Sequence, residues 1–380
     1  SLSDGDYVFK LSLILDENLT EQDYEIKIHI EAPIWKKTWF YVILVVGILL
    51  LFIISLYLIQ RRNRSIQKKL TEEVKRRTHD LTVKNQEISN INSELESLSD
   101  QYLEAKNVAE YKSDQIEESI NYAQNIQKVL FRRKEYNDWT QTFNDFFLLF
   151  KPKDMVSGDF YWGHVNNNYA YVAVADCTGH GVPGAMISML GASFLNDSIA
   201  EMTETGDLLE GLRKRVIEGF NQTADSLLSD GMDICVLRLE KDTLKAQTAG
   251  AMNPIYVVRP KSNTEEIPGF KRWAEDDNNV IWGSNPTKQP IGYYFKMTPF
   301  ESQEFQLCKG DQVYLLSDGY VDQFGGPNYK KFMRKQLFEL LFEINSMDGK
   351  DQKKVLWSRM SEWIGTTEQI DDISIIGIKT

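Results

Sequence analysis

The chain has 380 residues, of which 42% are hydrophobic and 26% charged, a globular composition that excludes wholesale disorder. Its 43 basic and 55 acidic residues leave a net charge of −12, which argues against a nucleic-acid partner. Three scattered cysteines, Cys177, Cys235 and Cys308, build no disulfide framework and fit a reducing compartment.

The length has room for two or three domains of about 100–200 residues each. The chain opens at Ser1 with no initiator methionine and no signal-peptide pattern. Tyr7–Leu15 and Tyr24–Ile30, rich in Val, Ile and Tyr, predict two strands around a polar turn. Such a hairpin is marginal alone, so residues 1–35 read as an extracytoplasmic fragment of a larger β domain.

Trp39–Ile59 is an uninterrupted run without a charge, with Gly47 and Ser55 as its small or weakly polar members. It matches the roughly 20 residues that cross a bilayer core, so residues 38–60 read as a transmembrane helix. Arg61, Arg62, Arg64, Lys68 and Lys69 follow it, against Lys36 and Lys37 before it. The heavier basic flank faces the cytoplasm, which makes the chain a single-pass protein of the inner membrane with its C-terminal part inside.

From Leu70 the apolar residues fall on alternating four- and three-residue steps through Val74, Leu81, Ile88, Ile91, Leu95, Leu98, Tyr102, Ile116, Ala123, Ile126 and Leu130. Arg77, Lys84, Lys112 and Ser119 are the polar members of the series, and no Pro or Gly interrupts it. Residues 61–132 therefore predict a coiled-coil linker, most simply a parallel homodimer because the span orients both copies alike. His79 has no nucleotide-binding motif after it and does not read as a phosphoacceptor.

Residues 140–380 change to strands and turns. Asp159 lies in Ser157-Gly158-Asp159-Phe160, and Asp176 ends the strand-like run from Tyr169. Asp318 follows Val313–Ser317, and Asp371 opens Asp372–Gly377. Carboxylates at strand ends beside glycines can converge on one cleft, and hard oxygen donors suit Mn²⁺ or Mg²⁺ rather than zinc. Taken alone, each Asp also reads as a turn or cap residue; together they point to a two-metal hydrolase. The arginine that a cysteine nucleophile needs is missing, since Pro183, Lys241 and Tyr314 occupy the corresponding positions.

The segments SGDFYW, ADCTGHGVPGA, SDGYVDQFGG and DDISII, with Gly231–Cys235, Ala249–Pro254 and Pro290–Gly292 between them, resemble the SpoIIE-type branch of the PPM (type 2C) protein phosphatases. The resemblance runs from about Phe146 to Lys379. It implies an α+β, four-layer α-β-β-α sandwich, with helices over Pro183–Met202, over Asp207–Leu228 and twice near the C-terminus. It makes Asp159, Asp176, Asp318 and Asp371 the metal ligands, with the Cys177 carbonyl beside them. Two Mn²⁺ or Mg²⁺ ions, roughly 4 Å apart, would then activate a water for in-line attack on phosphorus, with Asp159 and Asp176 in the catalytic set. His180 is the candidate proton donor to the departing oxygen, although it lies further from Asp176 than the family's histidine does from its bridging aspartate. Lys153 could steer phosphate.

The family further implies a phosphoserine or phosphothreonine on a regulatory protein, of the anti-sigma-factor-antagonist kind, as substrate. A catalytically silent scaffold and a small-molecule phosphohydrolase are the rival readings; the complete acid set argues against the first. Gly5–Phe9 and Ala32–Tyr41 resemble the end of the Tyr-rich β-sandwich that follows extracytoplasmic propellers in bacterial sensors, which implies a receptor phosphatase.

Overall fold

The computed structural model describes residues 2–13, 22–131, 139, 143, 145–223, 230–263 and 265–380. They form two compact units, residues 1–107 and 108–380. In the first, strands β1 (Gly5–Leu13) and β2 (Gln22–Ile30) pair antiparallel with Gly5 opposite Ile30. The expected strand end at Ile14 and Leu15 lies outside the described residues. A single helix, α1 (Thr38–Phe131), runs through both the apolar run and the heptad region. Nothing in its sequence breaks it after Gly47, because no Pro or Gly occurs between Ile48 and Phe131. Its apolar run is long enough to cross a membrane and is nowhere buried; Leu51 is 69% and Phe52 60% exposed.

The second unit is built on two antiparallel sheets. One has six strands in the order β3 (Asp145–Lys151), β15 (Ile373–Lys379), β12 (Gln312–Leu316), β8 (Tyr256–Pro260), β10 (Asn279–Gly283), β9 (Lys271–Glu275). The other has five, in the order β11 (Gln303–Gln306), β7 (Lys245–Ala251), β6 (Met232–Glu240), β5 (Tyr169–Cys177), β4 (Phe160–Val165). Helices α2 (Gly181–Ile199) and α3 (Thr205–Gly219) cover the five-stranded sheet. Beyond the short α4 (Gly319–Asp322) and the hairpin of β13 (Phe324–Gly325) and β14 (Lys330–Lys331), α5 (Met333–Ile344) and α6 (Gly349–Ile364) cover the other sheet.

Period-two alternation explains why the central strands read as continuous apolar runs. In β12, Val313 and Leu315 join the core between the sheets, while Tyr314 and Leu316 join the core beneath α5 and α6. In β15, Ile376 and Ile378 face one way, Ile373 and Ile375 the other. The result is the expected four-layer α+β sandwich.

Both helices differ from the expectation at both ends, the first ending at Ile199 rather than Met202 and the second starting at Thr205 rather than Asp207. The first helix begins at Gly181 rather than Pro183, which leaves Pro183 in its first turn, where a missing N–H costs little. The second stops at Gly219, well short of Leu228, because Asn221 takes a left-handed conformation (φ 50°) that ends the helix. Ala224–Leu228 lie outside the described residues.

Candidate active site

The strand ends gather the acids. Asp159 immediately precedes β4 and Asp176 is the penultimate residue of β5, so both belong to the five-stranded sheet. Asp318 follows β12 and caps α4, and Asp371 lies just before β15, so both belong to the six-stranded sheet. Asp176 and Asp318, one from each sheet, stand close enough for the Asp318 charge to push the Asp176 carboxyl up. All four candidate carboxylates thus meet at one end of the sandwich.

The loop carrying Asp159 is held tightly. The Ser317 hydroxyl donates to Asp159 Oδ2 at 2.6 Å. Asp372, 2% exposed, accepts from the backbone N–H of Lys153 (2.7 Å) and Gly158 (2.7 Å), with Asp159 N–H at 3.4 Å. Gly158 permits the approach: a Cβ there would stand 2.4 Å from the Gly179 carbonyl oxygen. Gly319 serves the same purpose on the other sheet, where a Cβ would meet the Asp372 carbonyl oxygen at 2.0 Å.

Like charges crowd this end. Burial pushes the Asp159 carboxyl well above the usual carboxylate range, and Asp372 and Asp371 add to the shift against the opposing Ser317 hydrogen bond. Asp176 is pushed up to about 10 by burial, then by Asp159, Asp318 and Asp371. Asp371 is raised chiefly by burial, with Lys153 acting in the opposite direction. The sequence reasoning missed a fifth member, Asp233 in β6. It stands opposite Asp176 in the β5–β6 register, and burial and Asp318 push it up to about 6. Its signal was an acid inside the apolar run Met232–Leu239; the register that places it beside Asp176 is not written locally.

Among the described residues, no three His, Cys, Asp or Glu side chains are already arranged to hold a metal ion. The donor set nevertheless fits a hard divalent cation, because crowded carboxylate oxygens that raise one another's pKa are a site whose charge a cation would offset. Cys177 is buried beside these acids, and burial pushes its thiol well up, so its side chain is a poor ligand and its carbonyl the better donor.

The rim carries the remaining predicted residues. His180 is the N-cap residue of α2 and is exposed. Its Nδ1 lies 2.9 Å from Asp154 Oδ2 and its Nε2 3.2 Å from Lys153 Nζ. The structure therefore places His180 with Asp154 and Lys153 at the surface, with the Lys153 charge near enough to lower the Asp371 carboxyl slightly against its burial.

Among solved structures, the chain resembles the PP2C domain of SiaA from Pseudomonas aeruginosa at 23% identity and TM-score 0.59, covering 71% of this chain and 98% of that one. That likeness speaks for the fold. The phosphatase domain of SpoIIE with part of its regulatory domain, from Bacillus subtilis, matches at 14% identity and TM-score 0.45, over 62% of this chain and 61% of that one. The RsbU and RsbW domains of a Mycobacterium tuberculosis protein match at 17% and TM-score 0.45, over 62% and 59%. No curated protein matches the chain in sequence. The family model described as stage II sporulation protein E (SpoIIE) matches residues 166–380, the segment that contains Asp176, Asp233, Asp318 and Asp371. With more than half of its length inside that match, the chain belongs to the SpoIIE family of PP2C-type protein serine/threonine phosphatases.

Proposed function

We propose that the protein is a metal-dependent phosphatase acting on phosphoserine or phosphothreonine of a regulatory protein, as the catalytic part of a membrane-anchored receptor. One observation carries the reading: Asp159, Asp176, Asp318 and Asp371 stand at one end of the sandwich, two from each sheet. They form a like-charged oxygen set that runs from buried Asp159 through half-buried Asp176 and Asp371 to exposed Asp318. Asp159, Asp176, Asp318, Asp371 and the Cys177 carbonyl would hold two Mn²⁺ or Mg²⁺ ions. Bound there, the ions would supply an activated water and neutralise charge on the phosphoryl group. The chain's own residues do the rest. Ser317 orients Asp159, and Asp372 fixes the loop behind it. Lys153 offers a cation to an incoming phosphate, and His180, oriented by Asp154, is the candidate proton donor to the departing oxygen.

The receptor architecture rests on α1. Its charge-free run suits a bilayer, with the basic flank inside. Below it, Leu70, Leu81, Leu95 and Leu98 are each more than 60% exposed on one chain, an apolar seam that a second copy would cover in a parallel coiled coil. On this reading residues 1–35 are extracytoplasmic, 38–60 span the membrane, 61–132 link and 140–380 catalyse. The family resemblance favours a phosphorylated anti-sigma-factor antagonist as substrate.

The test is Mn²⁺-dependent hydrolysis of p-nitrophenyl phosphate and of a phosphothreonine peptide by the full chain in detergent, beside Asp176→Asn and Asp318→Asn. Activity that needs metal and disappears in both variants supports the proposal. Wild-type protein that binds no Mn²⁺ by calorimetry sinks it in favour of a silent scaffold. Preference for nucleotides or sugar phosphates over phosphopeptides would replace the substrate class.

A further inference from the structure

The last turns of α1 reach into the loop that carries Asp159. Gln127 is 4% exposed, and its side-chain amide takes both polar groups of one residue's backbone. Gln127 Oε1 accepts from Ser157 N–H at 3.1 Å, and Gln127 Nε2 donates to the Ser157 carbonyl at 2.7 Å. The same Nε2 lies 3.0 Å from Ser188 Oγ on α2, and that hydroxyl lies 3.0 Å from the Ser157 carbonyl. One turn earlier, Gln124 Nε2 donates to the Met155 carbonyl at 2.6 Å. One turn later, Phe131 stacks on Phe160, the residue after Asp159, with ring centroids 6.1 Å apart.

Ser157 and Asp159 are both buried, with Asp372 gripping the loop from the far side. Gln127 therefore supplies partners that Ser157 could not obtain from water. The docking stripe, Gln124, Gln127 and Phe131, runs one residue after the heptad positions Ala123, Ile126 and Leu130. Ile126 and Val129 stay 42% and 72% exposed beside it. A helix rises about 1.5 Å and turns about 100° per residue. Hydrogen bonds of 2.7–3.1 Å do not survive a shift of that size.

We infer that Gln127 is a positioning residue for the metal-binding loop: its amide fixes the Ser157 backbone, sets where the Asp159 carboxylate stands, and makes the register of α1 an input to metal affinity. This rests on reading Asp159 as a metal-holding carboxylate. A ligand loop held by the sheet alone would be indifferent to the linker helix. This loop is completed by a side chain from it.

The experiment compares the full chain in detergent with Gln127→Met, which keeps the volume and removes the amide, and with Ser188→Ala, which removes one bond of the clamp. Amide hydrogen exchange is measured without metal, Mn²⁺ affinity by calorimetry, and turnover of p-nitrophenyl phosphate at limiting and excess Mn²⁺. In Gln127→Met, Ser157–Asp159 amides should exchange at least tenfold faster while those of Val172–Val174 are unchanged. Mn²⁺ binding should weaken tenfold or more. The kcat should fall at limiting metal and recover with excess, at constant KM. Unchanged Ser157 exchange, or Mn²⁺ affinity within twofold of wild type, overturns the inference. If Gln127→Met loosens β5 as well, Ser188→Ala decides, and no rise in Ser157 exchange there overturns it. Wild-type protein without Mn²⁺ affinity is a different failure, that of the metal reading itself.

Discussion

Removing divalent metal and raising the pH should destabilise the phosphatase unit, and the carboxylate cluster sets the size of the effect. Asp176 has a folded pKa of about 10 against 3.8 for the free group, and Asp233 about 6. Both are raised, so the folded state binds more protons than the unfolded chain between the two values. Their contribution is fully present below pH 3.8 and is lost as pH rises through the folded values. Each such group costs about 1.4 kcal/mol per pH unit across its window. Asp233 acts between about pH 4 and 6, and Asp176 across about pH 4 to 10, so that above pH 6 Asp176 alone remains. From pH 6 to 8 the loss is therefore about 3 kcal/mol. At about 2–4 °C per kcal/mol for a unit of this size, Tm should fall by about 6–12 °C. The assay is intrinsic fluorescence melting of the full chain in EDTA at pH 6, 7 and 8, repeated with saturating Mn²⁺. A bound cation favours the ionised carboxylates, so the metal series should be level or rise with pH. A chelated protein whose Tm holds or rises from pH 6 to 8 would refute the reasoning.

Three further outcomes follow from named contacts. Asp371→Asn should abolish Mn²⁺ binding with little loss of stability, whereas Asp372→Asn, which weakens the grip on Lys153 and Gly158, should cost about 2–4 kcal/mol in urea unfolding. Equal stability of the two variants would contradict that division. Gly158→Ala forces a Cβ toward the Gly179 carbonyl, so calorimetry should show at least tenfold weaker Mn²⁺ binding, with about 1–3 kcal/mol of strain. Cys177 and Cys235 are buried, and burial raises the Cys177 thiol and pushes Cys235 up to about 12, so iodoacetamide mapped by mass spectrometry should reach Cys308 first.

What the sequence displayed was whatever physics writes locally. The charge-free run Trp39–Ile59, the two-sided apolar strands and the acids that end them are such features, because period and burial leave a residue-by-residue trace. Asp233 was present in a segment already singled out, yet its meaning depends on standing opposite Asp176, and strand register is a tertiary fact. The neighbours Asp371 and Asp372 are chemically alike. Only the fold separates one that faces Asp318 from one that grips three backbone amides. Gln127 is an ordinary polar residue on a polar helix, and nothing nearby announces a partner thirty residues on. The helix expected to reach Leu228 failed for a local reason, since a left-handed Asn221 is not visible in propensity alone.

The loop around Asp159 is completed from both ends of the catalytic unit, and the two ends differ in what it takes to release them. Asp372 sits 219 residues beyond Lys153 and enters with β15, which lies between β3 and β12 and is buried on both faces, Ile375 and Ile376 being 1% and 0% exposed. Withdrawing Asp372 means opening the six-stranded sheet, a cost on the scale of global unfolding. Gln127 lies 30 residues before Ser157 at the end of one helix whose flank, Ile126 and Val129, remains exposed. Undocking it breaks a few hydrogen bonds and the contacts of Phe131 with Phe150, Phe160 and Tyr161, and leaves both sheets intact. A motion carried along α1 can therefore change the metal loop within a few kcal/mol, whereas the C-terminal grip stays closed for as long as the domain is folded. Regulation of this site, if it comes through the linker, has to act at the N-terminal side of the loop.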